Sequence, residues 1–298
     1  VTKQADVIVV GSANLDTTLR VCRVPAPGET LLASGSSVTP GGKGANQAVA
    51  AAAAGGKVHF IGALGRDSAG ETMRESLRSH GVDISGTHLL QAPTGTATVI
   101  VDDSGENLIV VNPGANALLS IEHVDEVLAE IEAPVVLCQL EVPLETVRAA
   151  AEQNPGRTFV LNPAPMMSAD RLASVLLLTD ILVPNQSELA QLTGREVPTT
   201  LDEVTDCVNG LEYRGAVVVT LGALGAAVFQ TVDGAATHVP APIVNTVDTS
   251  GAGDVFCGVL AYGLSQGSDL VTATRRAVAL AAESTTFHGA QMSSRNPV

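Results

Sequence analysis

Ala5-Asp6-Val7-Ile8-Val9-Val10-Gly11 is a β-branched apolar run closed by a glycine. A run with no polar alternation reads as a strand buried on both faces, as in a parallel sheet. Similar runs recur at 58–63, 135–140, 158–161, 181–183 and 216–221. Helical patterns lie between them, at 45–54, 70–80, 120–131, 144–153, 169–178, 187–193 and 201–213. Alternation of this kind predicts an α/β fold whose parallel sheet is covered on both faces.

Two regions break the rhythm. Residues 17–38 hold short alternating segments around Pro25-Ala26-Pro27-Gly28, and 95–111 read as strands 96–101 and 107–111 joined by Asp102-Asp103-Ser104-Gly105. These four strands have no helices of their own. They are expected to pair into a small sheet projecting from a main domain of residues 1–16, 39–94 and 112–298. Such a sheet suits a lid or an interface with a second subunit.

The chain has 298 residues, 45% of them apolar, which is enough to bury a large core. Its net charge of −15 repels nucleic acid and anionic membrane, so neither is expected as a partner. The same field would repel a nucleotide, so a nucleotide site here needs local positive potential from helix N-termini, a few Lys or Arg, or a metal. Cys22, Cys138, Cys207 and Cys257 form no CxxC pair and read as buried free thiols of a cytoplasmic protein. The start, VTKQADVIVVGS, lacks the pattern of a signal peptide. The Ala-rich segments 45–54 and 277–282 fall well short of the roughly 20 residues that span a bilayer. The six histidines show no metal-ligand spacing.

Asp248-Thr249-Ser250-Gly251-Ala252-Gly253-Asp254 precedes the apolar helical pattern Val255-Phe256-Cys257-Gly258-Val259-Leu260. A glycine-bearing turn that opens a helix presents unpaired N–H groups and a favourable dipole to an anion. Neither a GxxxxGK[ST] loop nor a GxGxxG fingerprint occurs. Asp254 reads equally as a helix-start residue and as a base held beside an anion hole. A helix N-terminus favours carboxylate charge and so weakens a base, but phosphoryl transfer depends more on positioning than on early proton removal.

Polar clusters follow several predicted strands, where α/β ligands bind. Gly11-Ser12-Ala13-Asn14-Leu15-Asp16 follows the first, with Asn14 and Asp16 two apart and able to face one side; the same pair also fits turn chemistry. Gly41-Gly42-Lys43-Gly44-Ala45-Asn46-Gln47 offers backbone donors, a cation and an amide to a polyhydroxylated ligand. Glu141 ends another strand. Asn185 and Glu188 fit a capping box as well as a ligand contact. Thr220-Leu221-Gly222-Ala223-Leu224-Gly225 suits a nucleotide.

Taken in order, these segments resemble the ribokinase family of PfkB carbohydrate kinases. The resemblance also takes in Pro27-Gly28-Glu29-Thr30, Asn112-Pro113-Gly114-Ala115-Asn116, Gln139-Leu140-Glu141, Leu161-Asn162-Pro163-Ala164-Pro165 and Gly289-Ala290-Gln291. It implies a Rossmann-like α/β sandwich with a β-lid that often clasps a homodimer. It implies transfer of the ATP γ-phosphoryl to a sugar hydroxyl with Mg²⁺, and activation by a monovalent cation, usually K⁺. Asp254 resembles the general base, and the backbone of Gly251, Ala252 and Gly253 the anion hole. Asn14, Asp16, Gly42, Lys43, Asn46 and Glu141 resemble sugar contacts. Asn185, Thr220, Gly222, Gly225 and Gly253 fall on the nucleotide side, with Glu188 near Mg²⁺ through water. Asp248, Ser250, Ser284, Phe287, Gly289 and Ser293 match the monovalent-cation positions. Asn14 with the intact GGKGAN run favours D-ribose, phosphorylated at O5, over deoxyribose, fructose or adenosine. A non-catalytic sugar or nucleotide sensor is the alternative from another class. Val278 stands where relatives often place a polar residue beside adenine, so no hydrogen bond is expected from it. Relatives usually continue into a final helix after the Ser293 position.

Overall fold

The computed structural model describes residues 3–104, 107–153 and 156–291. The chain runs β1 (Lys3–Gln4), β2 (Val7–Val10), β3 (Asn14–Arg20), β4 (Gly35–Gly41), α1 (Lys43–Ala53), β5 (Val58–Gly65), α2 (Ser68–Ser79), β6 (Asp83–Leu90), β7 (Gly95–Val101) and β8 (Asn107–Asn112). It continues through α3 (Ile121–Glu130), β9 (Ile131–Glu132), β10 (Val135–Cys138), α4 (Leu144–Glu152), β11 (Thr158–Leu161), α5 (Ala169–Leu176), β12 (Ile181–Leu182), α6 (Gln186–Thr193) and α7 (Leu201–Asn209). It closes with β13 (Ala216–Thr220), β14 (Ala226–Phe229), β15 (Thr237–Val239), α8 (Ala252–Ser265) and α9 (Leu270–Ser284).

The main sheet has the order β15-β14-β13-β12-β11-β10-β2-β5-β6. Its pairs from β6 to β13 are parallel, and β14 and β15 extend it antiparallel. β2 is the reason the opening run is apolar throughout. Val7 and Val9 pack with α1, α8 and α9 on one face, while Ile8 and Val10 pack with α3 to α7 on the other. All four are fully buried. From β2 the chain first builds outward through β5 and β6, then crosses to β10 and builds the other side. The carboxyl ends of β2 and β10 therefore open a crevice where strand order reverses, the usual place for a ligand in such sheets.

β3, β4, β7 and β8 form a separate four-stranded sheet in the order β4-β3-β7-β8. It begins earlier and ends later than the sequence bounds. Asn14 and Asp16 do not close the first strand; they lie within β3, where Asn14 pairs with Gly41 and Gly95. On the edge strand β8, Leu108, Ile109, Val110 and Val111 are all exposed.

Three further departures have physical reasons. β6 was hidden in the sequence by its polar residues, because an edge strand is covered less completely. β14 opens on two alanines, weak strand formers, and β15 has only three residues, so neither stands out as a β-branched run. α9 is longer than its Ala-rich core suggests, because the Asp269 side chain caps it by accepting from the Thr272 N–H at 2.9 Å. Cys138, Cys207 and Cys257 are buried free thiols as expected, but Cys22 is exposed, at the end of β3 where the small sheet meets solvent. Among the described residues no helix is long and apolar enough to cross a membrane.

Candidate active site

Gly251 begins the site. Its φ of 74° places it in the left-handed region, and a Cβ there would lie 2.3 Å from the Ala290 carbonyl oxygen. The turn it permits starts α8 at Ala252 with no side-chain cap. The Ala252 N–H bonds to Thr249 O at 3.2 Å, and Val255 N–H opens the helical ladder on Gly251 O. Among the described residues, the N–H groups of Gly253 and Asp254 have no partner at this helix start. A Cβ at Gly253 would meet nothing within 4 Å, so the space before these donors is open. Unpaired donors at an open helix start are the arrangement that suits an anion.

Asp254 sits in the first turn of α8 and is buried. Its Oδ2 accepts from Asn46 Nδ2 at 3.0 Å and its Oδ1 from Gln47 Nε2 at 3.0 Å. Both donors come from the start of α1. The two helices approach closely because Gly258, one turn after Asp254, has no side chain: a Cβ there would lie 2.3 Å from Gln47 O. A cavity of about 130 Å³ opens on this carboxylate, lined among others by Lys43, Asn162, Glu188, Thr220 and Gly253. A larger one of about 440 Å³ adjoins it through Thr220 and Gly253. Its walls are mostly apolar, from Ala241, Pro242, Ile243, Phe256, Val278 and Ala281. A flat heteroaromatic ring suits such a wall, with phosphates pointing at the start of α8. Val278 lines this cavity and is buried, as a non-hydrogen-bonding contact.

The polar groups at the strand ends converge from the other side. The carboxylate of Glu141 accepts from the Ser12 hydroxyl and from the Lys43 N–H at 3.0 Å, tying β2, β10 and α1 together. Asn14 is buried, and its Oδ1 accepts from Asn116 Nδ2 at 2.7 Å. Asn116 also accepts from Ala13 N–H at 3.0 Å, so it sets the Asn14 amide. Asp16 Oδ1 is a buried acceptor with no partner. Burial, then the neighbouring Glu141, pushes the Asp16 pKa up to about 6, with Asp254 adding to the effect and the Ala97 N–H opposing it. Burial works against charge on Lys43, but the Asp254, Glu141 and Glu188 carboxylates outweigh it and raise its pKa. Burial also raises Glu188, against the Asn185 N–H and Lys43.

Asn185 and Glu188 do form the capping box of α6. The Glu188 carboxylate nevertheless faces the small cavity, so the cap and the site share one residue. Two carboxylates and one ammonium there leave a negative balance before any phosphate arrives, which suits a hydrated divalent cation at Glu188. Thr220 bridges to Asn185, while Gly222 and Gly225 line the larger cavity. The Asp248 carboxylate accepts from the N–H groups of Ser250 at 2.9 Å and Gly289 at 3.0 Å, which brings together three of the residues expected at a monovalent cation. Ser284 and Phe287 are joined by a backbone bond near the end of α9. Ser293 lies outside the described residues. Carboxylate and carbonyl oxygens of the kind these residues carry are the donor type a monovalent cation takes.

Several neighbours of the site lie in segments quoted for the resemblance but were given no role of their own. Asn116, Gln47, Gln139, Asn162 and Gln291 are buried or half-buried amides that bond one another or the site residues. A polar residue inside an otherwise apolar segment was a further cue, as at Gln47 in the Ala-rich α1.

The pfkB family carbohydrate kinase model matches residues 4–297. A ribokinase of Haemophilus influenzae is 39% identical over 294 residues, covering 96% of this chain and 94% of its own. A deoxyribokinase of Salmonella typhi is 38% identical over 296 residues, covering 97% and 95%. Among solved structures, that of Arabidopsis thaliana ribokinase complexed with ribose and ATP is 30% identical, with a TM-score of 0.80 and coverage of 96% and 94%.

Proposed function

The chain belongs to the pfkB family of carbohydrate kinases, and from that premise we propose that it transfers the γ-phosphoryl group of ATP to O5 of D-ribose. The observation that carries this reading is Asp254: a carboxylate fixed by two amides at an uncapped helix start, between an apolar cavity and a set of strand-end polar groups. Ribose lies under the small sheet. Asn14, Asp16, Gly42, Lys43, Asn46 and Glu141 hold its hydroxyls and the backbone around them. The base of ATP occupies the larger cavity against Val278, Gly222 and Gly225, and its phosphates pass Thr220 and Asn185.

Asp254 orients the O5 hydroxyl toward the γ-phosphorus. As the O5–P bond forms, the bond from that phosphorus to the β,γ-bridging oxygen breaks and ADP leaves. Asp254 takes the hydroxyl proton as transfer proceeds. Of the expected anion hole at Gly251, Ala252 and Gly253, the Ala252 N–H is taken by Thr249 O; the N–H groups of Gly251 and Gly253, joined by that of Asp254, with the α8 dipole and Lys43, stabilise the charge on the transferring group. Mg²⁺, held through water at Glu188, would supply further charge neutralisation on the phosphates. K⁺, at Asp248, Ser250, Ser284, Phe287, Gly289 and Ser293, would fix the turn that forms the anion hole. The exposed apolar edge strand β8 supports a homodimer through the small sheet, since such an edge is otherwise a site of unwanted pairing.

The Salmonella typhi relative, named for deoxyribose, makes 2-deoxyribose the second reading. A coupled ADP-release assay over ribose, 2-deoxyribose, fructose and adenosine, with and without K⁺, separates the two. Highest kcat/KM on ribose supports the proposal, and preference for any other substrate overturns the ribose assignment.

A further inference from the structure

Resting on that kinase reading, we infer that Gln47 and Gln139 are positioning residues, holding the Asp254 carboxylate through a one-directional chain of buried amides without touching either substrate. The polarity of the chain follows from its ends. An ionised carboxylate only accepts, so Asn46 and Gln47 must both turn their NH₂ groups toward Asp254. Asn162 Nδ2 donates to Val183 O at 3.0 Å, so Asn162 Oδ1 faces Gln47 and also requires a donor. The two hydrogens of Gln47 Nε2 are therefore engaged, one on Asp254 Oδ1 at 3.0 Å and one on Asn162 Oδ1 at 3.1 Å. Its Oε1 accepts from Gln139 Nε2 at 2.6 Å.

Gln47 and Gln139 are both fully buried. Gln47 has no hydrogen left to donate to a ligand, and its oxygen is already bonded. Asn46 differs: one N–H holds Asp254, its oxygen accepts from Gln291 at 3.1 Å, and its second N–H is not engaged by those bonds. Asn46 can serve substrate and base together, whereas Gln47 serves the base alone.

The far end of the chain shows that the orientation is imposed. Gln139 Oε1 is buried with no partner. Turning that amide over would set two carbonyl oxygens against each other at Gln47, so the unpaired oxygen is retained. Gly11 leaves the room for it, since a Cβ at Gly11 would lie 2.1 Å from that oxygen. Both Asp254 oxygens are thus fixed from α1 before a sugar arrives, which holds one direction open toward the attacking hydroxyl.

Gln47→Met keeps the length and removes the donors. Gln47→Glu keeps the shape and sets a second carboxyl against Asp254, so that the pair must share a proton. Both are compared with wild type and Gln139→Met by ADP release at saturating ribose from about pH 5.5 to about pH 9, with ribose Kd by calorimetry. Gln47→Met is expected to lower kcat about 10- to 100-fold while ribose Kd stays within about threefold. Gln47→Glu is expected to move the acid limb of kcat up by about one pH unit or more. Gln139→Met is expected to lower kcat about three- to tenfold, again with little change in Kd. Wild-type kcat and an unmoved acid limb in folded Gln47 variants would overturn the inference. So would losses of kcat and ribose affinity in parallel. If neither Gln47 variant folds, the kcat-against-Kd split of Gln139→Met decides by the same criterion. Absence of sugar-dependent ADP release from wild type itself overturns the kinase reading instead.

Discussion

Asp16→Asn should make the sugar-free protein more stable and the sugar site worse. The wild-type carboxylate is half-buried with Oδ1 unpaired, and its pKa rises from 3.8 to about 6 through burial and the nearby Glu141. Below about pH 3.8 the folded and unfolded chains both carry a protonated Asp16, so no penalty exists. As pH rises through about 6, the folded protein must ionise a desolvated group, and the full penalty stands above that value. At about 1.4 kcal/mol per pH unit, the gap amounts to about 3 kcal/mol. Solvent screening of the partly exposed side chain brings this to about 1–2 kcal/mol. Asn fills the same space, is neutral, and can keep the bond from the Ala97 N–H. Urea denaturation without sugar should therefore show Asp16→Asn more stable than wild type by about 1–2 kcal/mol near pH 8, and little different near pH 4. Ribose affinity by calorimetry should fall about 10- to 100-fold at neutral pH, because a hydrogen bond to a charged acceptor is lost. A variant less stable than wild type near pH 8, or a gain of equal size at both pH values, would refute the reasoning that Asp16 is held charged and unpaired for a ligand.

Asp254→Asn should lower kcat about a thousandfold or more with little change in ribose Kd, measured by ADP release and calorimetry; retention of most turnover removes Asp254 as the base. Asn116→Ala frees the Asn14 amide and should weaken ribose binding about tenfold while leaving nucleotide binding unchanged, read by calorimetry with each ligand. Burial lowers the pKa values of His59 and His88 below 6.5. Their contribution to stability is present above about pH 6.5 and lost as pH falls through the lowered folded values, so the urea midpoint should drop between about pH 7.5 and about pH 5.5. Replacing both with Gln should flatten that drop. Asp248→Ala should abolish stimulation of turnover by K⁺, tested by titrating KCl against NaCl.

The main sheet was legible because buried parallel strands require unbroken apolar runs, and Val7–Val10 pack on both faces. β6 was illegible for the converse reason: an edge strand tolerates the polar residues of Asp83–Leu90. In the site, Asp254 and Lys43 stood out because glycines surround them. The residues that orient them did not. Gln47 and Gln139 are more than ninety positions apart in sequence and meet only because α1 lies across the end of β10. Asn116 reaches Asn14 from more than a hundred positions away. These amides fall inside the segments quoted for the resemblance, but the segments do not say which amide meets which; their role is fixed by what they accept from and donate to after folding. The capping box at Asn185 and Glu188 shows the opposite case, where a local pattern was read correctly and coincided with a place in the cleft.

The most direct measurement is identification of the product. Purified protein incubated with D-ribose, MgATP and KCl should yield one new phosphomonoester whose phosphorus couples to the C5 protons of ribose by NMR, in equal amount to the ADP formed. ADP release that does not depend on ribose, or phosphate found at another ribose carbon, would contradict the account.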